Sequence, residues 1–379
     1  MTEQSQRTWV EAIRCHAREF ARGLFRPSPA SIFGAIFVAA ALFGLCMWRI
    51  TPAFVARHEG YFMRDALDNY VHLTGSTLRL VHSPPAEPAC IVLGDSMIRE
   101  AVSSEADLER IVGEKAGRPV SVHLLVADAM TQWEAVVVTD CIRGSVRGVV
   151  VLEMTPYNVA LRGDDLHKRI RTPRLALDCQ AEAIERKISK VERRPRLRNY
   201  FLDHYMFFAM RTEALRNLLT GPLSPPDHEV DERVPWTIAQ WKREQQRITG
   251  WERHYDRFHL FNLALYQRMI DRLRQSGRIS VVLLEGVLSP RMDELIDGDS
   301  RGSLRRRYRA DVAGFARENS LEYWDIVRDM ASEGKLSARD FQDYAHLQKK
   351  DARQRFTDEL GTRLVDTLRR NRFLEAGRP

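Results

Sequence analysis

The stretch CIVLGDSMIRE, residues 90–100, decides the fold class of this chain. Its apolar run, residues 91–93, ends at Gly94 and Asp95, and a helical pattern begins at Ser96. The same alternation recurs along the chain, with candidate strands at 91–93, 120–126, 148–153, 279–285 and 321–326 and helical runs that include 100–114, 132–141 and 258–275. Short strands that are almost entirely apolar and alternate with helices are typical of a parallel sheet covered on both faces. The sequence therefore predicts an α/β fold, a three-layer αβα sandwich with about five parallel strands.

The composition of the 379-residue chain limits its partners. Hydrophobic residues make up 44% and charged residues 29%, which predicts that most of the chain folds around a core. A net charge of +7 favours an anionic partner such as a membrane face, a polysaccharide or a nucleic acid. The basic residues are scattered through helical stretches without an RNP motif or a zinc finger, which argues against a nucleic acid.

An uncharged apolar segment, ASIFGAIFVAAALFGLCMW, occupies residues 30–48. Its length is close to the ~20 residues that span a bilayer. The absence of a polar face argues against a buried core helix. A leader of about 30 residues is long for a cleaved signal peptide, and no small-residue cleavage site follows the segment. We expect an uncleaved, single-pass transmembrane helix.

The charges that flank this segment predict its orientation. Five arginines precede it: Arg7, Arg14, Arg18, Arg22 and Arg26. The positive-inside bias places the basic tail, residues 1–29, in the cytoplasm and the rest of the chain outside. Residues 49–87 are expected to form a helical stalk that ends in the proline-rich SPPAEPA, and residues 88–379 form the main domain. The long interval between the third and fourth strands predicts a helical insertion at about residues 164–255.

The cysteines give weaker information. Cys90, Cys141 and Cys179 would lie in an oxidising compartment, where three cysteines permit one disulfide and one free thiol. Cys90 and Cys141 both precede apolar runs, so a disulfide between them is one hypothesis. No cysteine and histidine spacing indicates zinc, and we expect neither a metal nor a cofactor.

Ser96 has two interpretations. It follows a strand at the edge where open parallel sheets bind ligands, and a helix N-terminus behind it can stabilise negative charge. Serine is also a frequent helix cap. A second segment, FQDYAHLQKKDARQRFTDEL at residues 341–360, places Asp343 three residues before His346. A nucleophilic serine needs a base and an orienting acid, and these two residues could supply both if their turn reaches Ser96.

The two motifs together, GDSM after the first strand and DYAHL before the last helix, resemble the SGNH (GDSL) hydrolase superfamily. The resemblance covers roughly residues 88–372 and implies a flavodoxin-like sandwich with Ser96 as nucleophile, His346 as base and Asp343 as orienting acid. It also implies an oxyanion hole formed by the N–H groups of Ser96 and Ala129 with Asn158. Here the chain departs from the family, because VADAMTQWE has alanine in place of glycine and LEMTPYN replaces GxND. Thr155 or Tyr157 could serve instead of Asn158.

The anchored architecture resembles acyl-transfer proteins of bacterial envelope biogenesis. That resemblance implies a bacterial inner-membrane protein with a periplasmic domain that transfers an acyl group, such as acetyl, to a cell-envelope polysaccharide. It also implies a multi-span membrane acyltransferase as partner. A carbohydrate esterase of the same fold and an inactive glycan-binding scaffold are the alternatives.

Four further features have more ordinary interpretations. His123 lies within the second strand and is expected to be a core histidine, and RRRYR at residues 305–309 is expected to be a solvated basic face. Trp236, Trp241 and Trp251 could stack on sugars, although their near-helical spacing favours packing. Glu285 ends the fourth strand at the active edge, where it could shape the pocket.

Overall fold

The computed structural model describes residues 29–49, 69–162, 236–297 and 303–375, together with Leu166, Leu175 and Leu177. The chain divides into two compact units, Met1–Thr51 and Pro52–Pro379. Most of the basic tail, the first part of the stalk and most of the insertion lie outside the described residues.

The first unit contains helix α1, Pro29–Arg49. Large apolar side chains are exposed along it, among them Phe33 at 71% and Phe37 at 74%. Over the described residues, no helix combines the length and the apolar character that a membrane crossing requires.

The second unit is built on one parallel sheet of five strands. The strands are β1 (Ala89–Gly94), β2 (Ser121–Val126), β3 (Gly148–Met154), β4 (Ile279–Glu285) and β5 (Glu322–Trp324). They lie in the order β2-β1-β3-β4-β5, and every pairing is parallel. The predicted α/β class and the number of strands are confirmed.

Helices connect and cover these strands. The described helices of this unit are α2 (Asn69–His82), α3 (Ser96–Ala101), α4 (Glu105–Ala116), α5 (Gln132–Ile142), α6 (Pro156–Ala160), α7 (Ile238–Arg274), α8 (Pro290–Asp297), α9 (Ser303–Glu318), α10 (Ile326–Ser332) and α11 (Lys350–Arg370). The run expected at 100–114 is two helices. Helix α7 is continuous, so the expected end of the insertion at residue 255 falls inside a helix.

Apolar clusters lie on both faces of the sheet, as in a three-layer sandwich. Successive side chains of β1 point to opposite faces of the sheet, so Ile91 and Leu93 lie in the cluster formed with α2, α5, α7 and α9. Cys90 and Val92 enter the other cluster, formed with α3, α4, α10 and α11. Strands buried on both faces need apolar residues at nearly every position, which explains the continuous apolar runs in the sequence.

Helix α2 belongs to this domain. Leu73 and Leu80 on it are buried at 0% and 1% exposure in the cluster that also holds Ile91. Residues 69–82, which were predicted as part of the stalk, therefore pack on α5 and β2.

The proposed disulfide between Cys90 and Cys141 is wrong. The Cys90 thiol is free and fully buried under the face that α3 and α4 cover. Cys141 is on α5, which packs on the opposite face of the sheet. The sheet separates the two residues, although both precede apolar runs.

The edge strand β2 is protected by carboxylates of α4. Glu105 accepts a hydrogen bond from the Leu124 N–H at 2.7 Å, and Glu109 accepts one from the Val122 N–H at 3.0 Å. These bonds satisfy backbone donors that an edge strand would otherwise expose. His123 between them is 8% exposed, and burial lowers its pKa to about 4. The prediction of a core histidine is confirmed.

The strand order places a crevice beyond the carboxyl ends of β1 and β3. Strand β2 lies on one side of β1 and β3 on the other, so the sheet reverses its winding at β1. Doubly wound sheets bind ligands at this switch point. Ser96 follows β1 directly and therefore lies at it.

Candidate active site

The turn after β1 presents Ser96 as the first residue of α3. The helix cap is Asp95, whose Oδ1 accepts a hydrogen bond from the Met97 N–H at 2.8 Å. The interpretation of Ser96 as a cap is therefore wrong. Because Asp95 does the capping, the Ser96 hydroxyl is left for other chemistry, and the residue is half-buried at the sheet edge.

A tight loop before α11 presents the two other predicted residues. Phe341 and Leu347 form an antiparallel bridge that closes the loop, and the Gln342 N–H donates to the His346 carbonyl at 2.9 Å. Inside it, Asp343 Oδ1 accepts hydrogen bonds from the N–H groups of Ala345 and His346, each at 2.9 Å. Asp343 thus fixes the loop with one carboxylate oxygen and keeps the other available.

Asp343, His346 and Ser96 form a continuous chain of contacts. Asp343 Oδ2 lies 2.7 Å from His346 Nδ1. His346 Nε2 lies 3.4 Å from Ser96 Oγ, across 250 residues of sequence. The second distance is long for a hydrogen bond, and such bonds tighten when substrate is bound. The structure brings together the three residues that the sequence singled out.

The electrostatics of the pair suit a base that becomes charged during reaction. Burial alone would raise the pKa of Asp343, but the hydrogen bond and charge of His346 and the two backbone N–H groups hold it below its ordinary value. Burial alone would lower the pKa of His346, but the hydrogen bond and charge of Asp343, helped by Glu100 and Asp95, raise it. Asp343 therefore stays ionised and stabilises an imidazolium at His346.

Ala129 lies in the loop after β2, at the same edge of the sheet. Its backbone has a φ of 49°, in the left-handed region that glycine favours, and its side chain is exposed. The neighbouring Asp128 pairs with Arg99 of α3 at 2.9 Å. This ion pair ties the loop to the helix that begins at Ser96. The conformation that a glycine would supply is present despite the alanine.

The described contacts of Asn158 do not include Ser96, His346 or Asp343, the three residues called the triad below. Asn158 lies on α6, is 5% exposed, and donates its N–H to Thr155 Oγ1 at 2.9 Å. Its carbonyl accepts a bond from Gln132, and its side chain lies against the Tyr266 hydroxyl. Its role as an oxyanion donor stays a prediction.

Aromatic rings flank the triad histidine. The Tyr344 ring lies edge-on to His346 at 6.3 Å, and the Trp236 ring is tilted against Tyr344 at 5.7 Å. Trp241 packs behind Trp236 and is buried, which confirms its packing role. Trp236 also donates its N–H to the Gln342 carbonyl at 3.1 Å. The residues that enter α7 are thereby joined to the loop that holds His346.

The prediction of a solvated basic face at residues 305–309 is wrong in part. Arg305 is 2% exposed, and it bonds to Glu285 and, at 3.0 Å, to Asp293. Glu285 also accepts hydrogen bonds from two tyrosine hydroxyls, those of Tyr308 and Tyr323. Helical periodicity turns Arg305 and Tyr308 inward and Arg306 outward. Glu285 is therefore enclosed in an ion-pair network at the end of β4, and its contribution to the pocket stays a prediction.

Sequence reasoning missed Glu153. This residue lies near the end of β3, is 4% exposed, and its Oε2 accepts a hydrogen bond from the Asp95 N–H at 2.6 Å. A carboxylate inside the otherwise apolar strand GVVVLEM was the available signal. Charged residues are rarely buried without a specific partner.

No group of three His, Cys, Asp or Glu residues within the described ranges is arranged to hold a metal ion.

Comparison with known proteins finds neither a matching protein-family model nor a matching curated protein. The chemistry of the site therefore has to carry the functional assignment.

Proposed function

We propose that the protein is a serine-dependent acyltransferase of the SGNH type, which acts through an acyl-serine intermediate. The observation that carries this proposal is the alignment of Asp343, His346 and Ser96 at the switch point of the sheet. A serine, a base within reach and an acid that orients the base are the minimum requirement for nucleophilic acyl transfer.

In the proposed mechanism, Ser96 Oγ attacks the carbonyl carbon of an acyl donor while His346 Nε2 takes the hydroxyl proton. Asp343 accepts the Nδ1–H and so keeps Nε2 free to act as the base. The N–H groups of Ser96 and Ala129, with Asn158, stabilise the tetrahedral oxyanion. The intermediate collapses when His346 gives its proton to the leaving group.

The acyl-serine is resolved by a second acceptor. His346 takes a proton from a hydroxyl group, whose oxygen attacks the acyl carbon, and Ser96 leaves with that proton. A sugar hydroxyl as acceptor completes transfer, whereas water completes hydrolysis. The half-buried position of Ser96 and His346 leaves the site open to water, which favours the esterase as the second candidate function.

We further propose the setting in which the reaction occurs. The uncharged segment at residues 30–48 would anchor the chain in a bacterial inner membrane, with its N-terminus in the cytoplasm and the catalytic domain in the periplasm. A cell-envelope polysaccharide would be the acceptor. Because this chain has one such segment, acyl groups from the cytoplasm would reach it through a multi-span membrane acyltransferase.

A serine-directed fluorophosphonate tests the nucleophile in the full-length protein. Ser96→Ala should abolish labelling and His346→Gln should slow it strongly. Ser103→Ala is the matched control, since this serine lies just beyond α3 and contacts Gln354 and Thr357 instead of the triad. Labelling of Ser96→Ala at the wild-type rate would refute the role of Ser96, and wild-type protein that does not label would favour the inactive scaffold.

The acceptor is tested by product analysis. An aryl acetate is supplied with and without a polysaccharide fragment, and acetylated sugar and free acetate are measured. Transfer to sugar supports the acyltransferase. Release of acetate alone, unaffected by the sugar, replaces it with the esterase.

A further inference from the structure

We propose that Glu153 is a positioning residue that holds the nucleophile turn so that the Ser96 N–H faces the developing oxyanion. This inference rests on the proposed function, and it assigns a role to a buried carboxyl group that does not touch the reacting atoms.

The geometry links β3 to the turn that follows β1. Strand register pairs Leu152 with Leu93, so Glu153 lies opposite the point where β1 ends. From there its Oε2 receives the Asp95 N–H at 2.6 Å. The Glu153 side chain on β3 thereby fixes the first peptide group after the neighbouring strand β1.

Two glycines leave room for this carboxyl group. A Cβ added at Gly94 would lie 2.4 Å from Glu153 Oε2, and one added at Gly286 would lie 3.2 Å from Glu153 Oε1. The Gly286 position would also place its Cβ 2.4 Å from the Thr155 side chain. A larger residue at either site would displace the carboxyl group or the backbone beside it.

The consequence for Ser96 follows from the neighbouring bonds. The Asp95 N–H goes to Glu153, and the Met97 N–H goes to the Asp95 side chain. Within the described part of the chain, the Ser96 N–H between them donates to no protein group. Because its two neighbours are fixed, this donor has a defined direction, as an oxyanion hole requires.

The charge on Glu153 bears on the same role. Charged or titratable groups face it from several elements: Asp95 at the end of β1, Glu285 on β4 and Tyr266 on α7. Burial, and then the charge of Asp95, raise the pKa of Glu153 well above its ordinary value. The raised pKa widens the pH range in which the group that accepts the Asp95 N–H is an uncharged carboxyl. Its ionisation would place negative charge beside the oxyanion and oppose the reaction.

Two variants separate the hydrogen bond from the charge. Glu153→Gln keeps an oxygen acceptor and the size of the side chain, and it should label with a fluorophosphonate at close to the wild-type rate near neutral pH. As pH rises, it should remain reactive where the wild type declines. Glu153→Leu leaves the Asp95 N–H without an acceptor and should label about ten- to a hundredfold more slowly. Glu105→Leu is the matched control, because it removes the acceptor of the Leu124 N–H and should label normally.

Two readouts do not depend on catalysis. Amide exchange at Asp95 should accelerate in Glu153→Leu and stay slow in Glu153→Gln. A raised folded pKa makes the contribution of Glu153 to stability complete below its unfolded value and lost as pH rises. The melting temperature of Glu153→Gln should therefore rise relative to that of the wild type as pH increases above the ordinary carboxyl pKa.

The outcomes distinguish this inference from the proposed function. Wild-type protein that fails to label would refute the function, whereas amide protection at Asp95 would still decide the role of Glu153. Unchanged protection and labelling in Glu153→Leu would overturn the inference. Equal loss of labelling in Glu153→Gln and Glu153→Leu would also overturn it.

Discussion

Exchange of one carboxylate oxygen for an amide nitrogen at Asp343 should separate catalysis from folding. In Asp343→Asn, the amide oxygen can still accept the N–H groups of Ala345 and His346, which now bond to Oδ1 at 2.9 Å. The amide nitrogen then faces His346 Nδ1, where the carboxylate oxygen lies at 2.7 Å. Because both amide hydrogens are donors, Nδ1 must become an acceptor and Nε2 must carry the proton.

Asp343→Asn should have a large effect on the reaction rate and a small effect on the free energy of unfolding. A histidine that carries a hydrogen on Nε2 cannot take the proton of Ser96, and the wrong tautomer costs about 10⁴-fold in rate, or about 5 kcal/mol of activation free energy. The loop keeps its two backbone bonds, so the free energy of unfolding should fall by only about 1–2 kcal/mol, for the loss of a charge-assisted bond. Asp343→Ala removes both carboxylate oxygens and the three hydrogen bonds that they accept, and it should cost about 3–5 kcal/mol of stability.

The assay is the rate of fluorophosphonate labelling near neutral pH, with denaturant unfolding of the same samples. Asp340→Asn is the matched control. Asp340 closes a capping box in the same region, where its Oδ2 accepts the Ser337 N–H at 2.8 Å, and it has no bond to His346. Folded Asp343→Asn that labels within tenfold of the wild type would refute the role of Asp343 in setting the tautomer.

Four further predictions concern His346, Ala129 and Arg305. Labelling should fall as pH drops through the folded pKa of His346, which Asp343 holds above the ordinary 6.5. Asp343→Ala should move the midpoint of this fall to lower pH. An unmoved midpoint would contradict the coupling between the two residues. The raised pKa also means that the contribution of His346 to stability is complete below pH 6.5 and lost as pH rises, as thermal unfolding over pH will show. Ala129→Gly relieves a left-handed backbone and should gain about 0.5–1 kcal/mol in denaturant unfolding with labelling retained, whereas a loss of stability would show that the conformation is different. Arg305→Met leaves the buried carboxylate of Glu285 without its cation and should lower the free energy of unfolding by about 3–5 kcal/mol. The exposed neighbour is the control, and Arg306→Met should lower it by no more than about 0.5 kcal/mol. Equal effects would place Arg305 at the surface.

The sequence was sufficient for the sheet and for the choice of Ser96, His346 and Asp343 as candidate site residues. Strands β1, β3 and β4 are apolar at nearly every position, so their burial on both faces is encoded within each segment. Ser96, Asp343 and His346 were identifiable because few residue types can serve as nucleophile, acid and base, and because Ser96 follows an apolar run while the other two stand before the last helix. Local order and residue chemistry are properties that a short segment carries by itself.

The tertiary structure alone decided which charges are buried and which groups face one another. The predicted disulfide was wrong because the two cysteines lie on opposite faces of the sheet, a fact that depends on where α5 packs. Arg305 and Glu153 are both charged residue types, and each is buried through a partner that is distant in sequence, Glu285 and Asp95 respectively. Burial of a titratable side chain is tolerated only when a partner offsets the loss of hydration, here an opposite charge for Arg305 and a backbone N–H donor for Glu153. The partner lies on a different element of the fold, so no local pattern of residues predicts it.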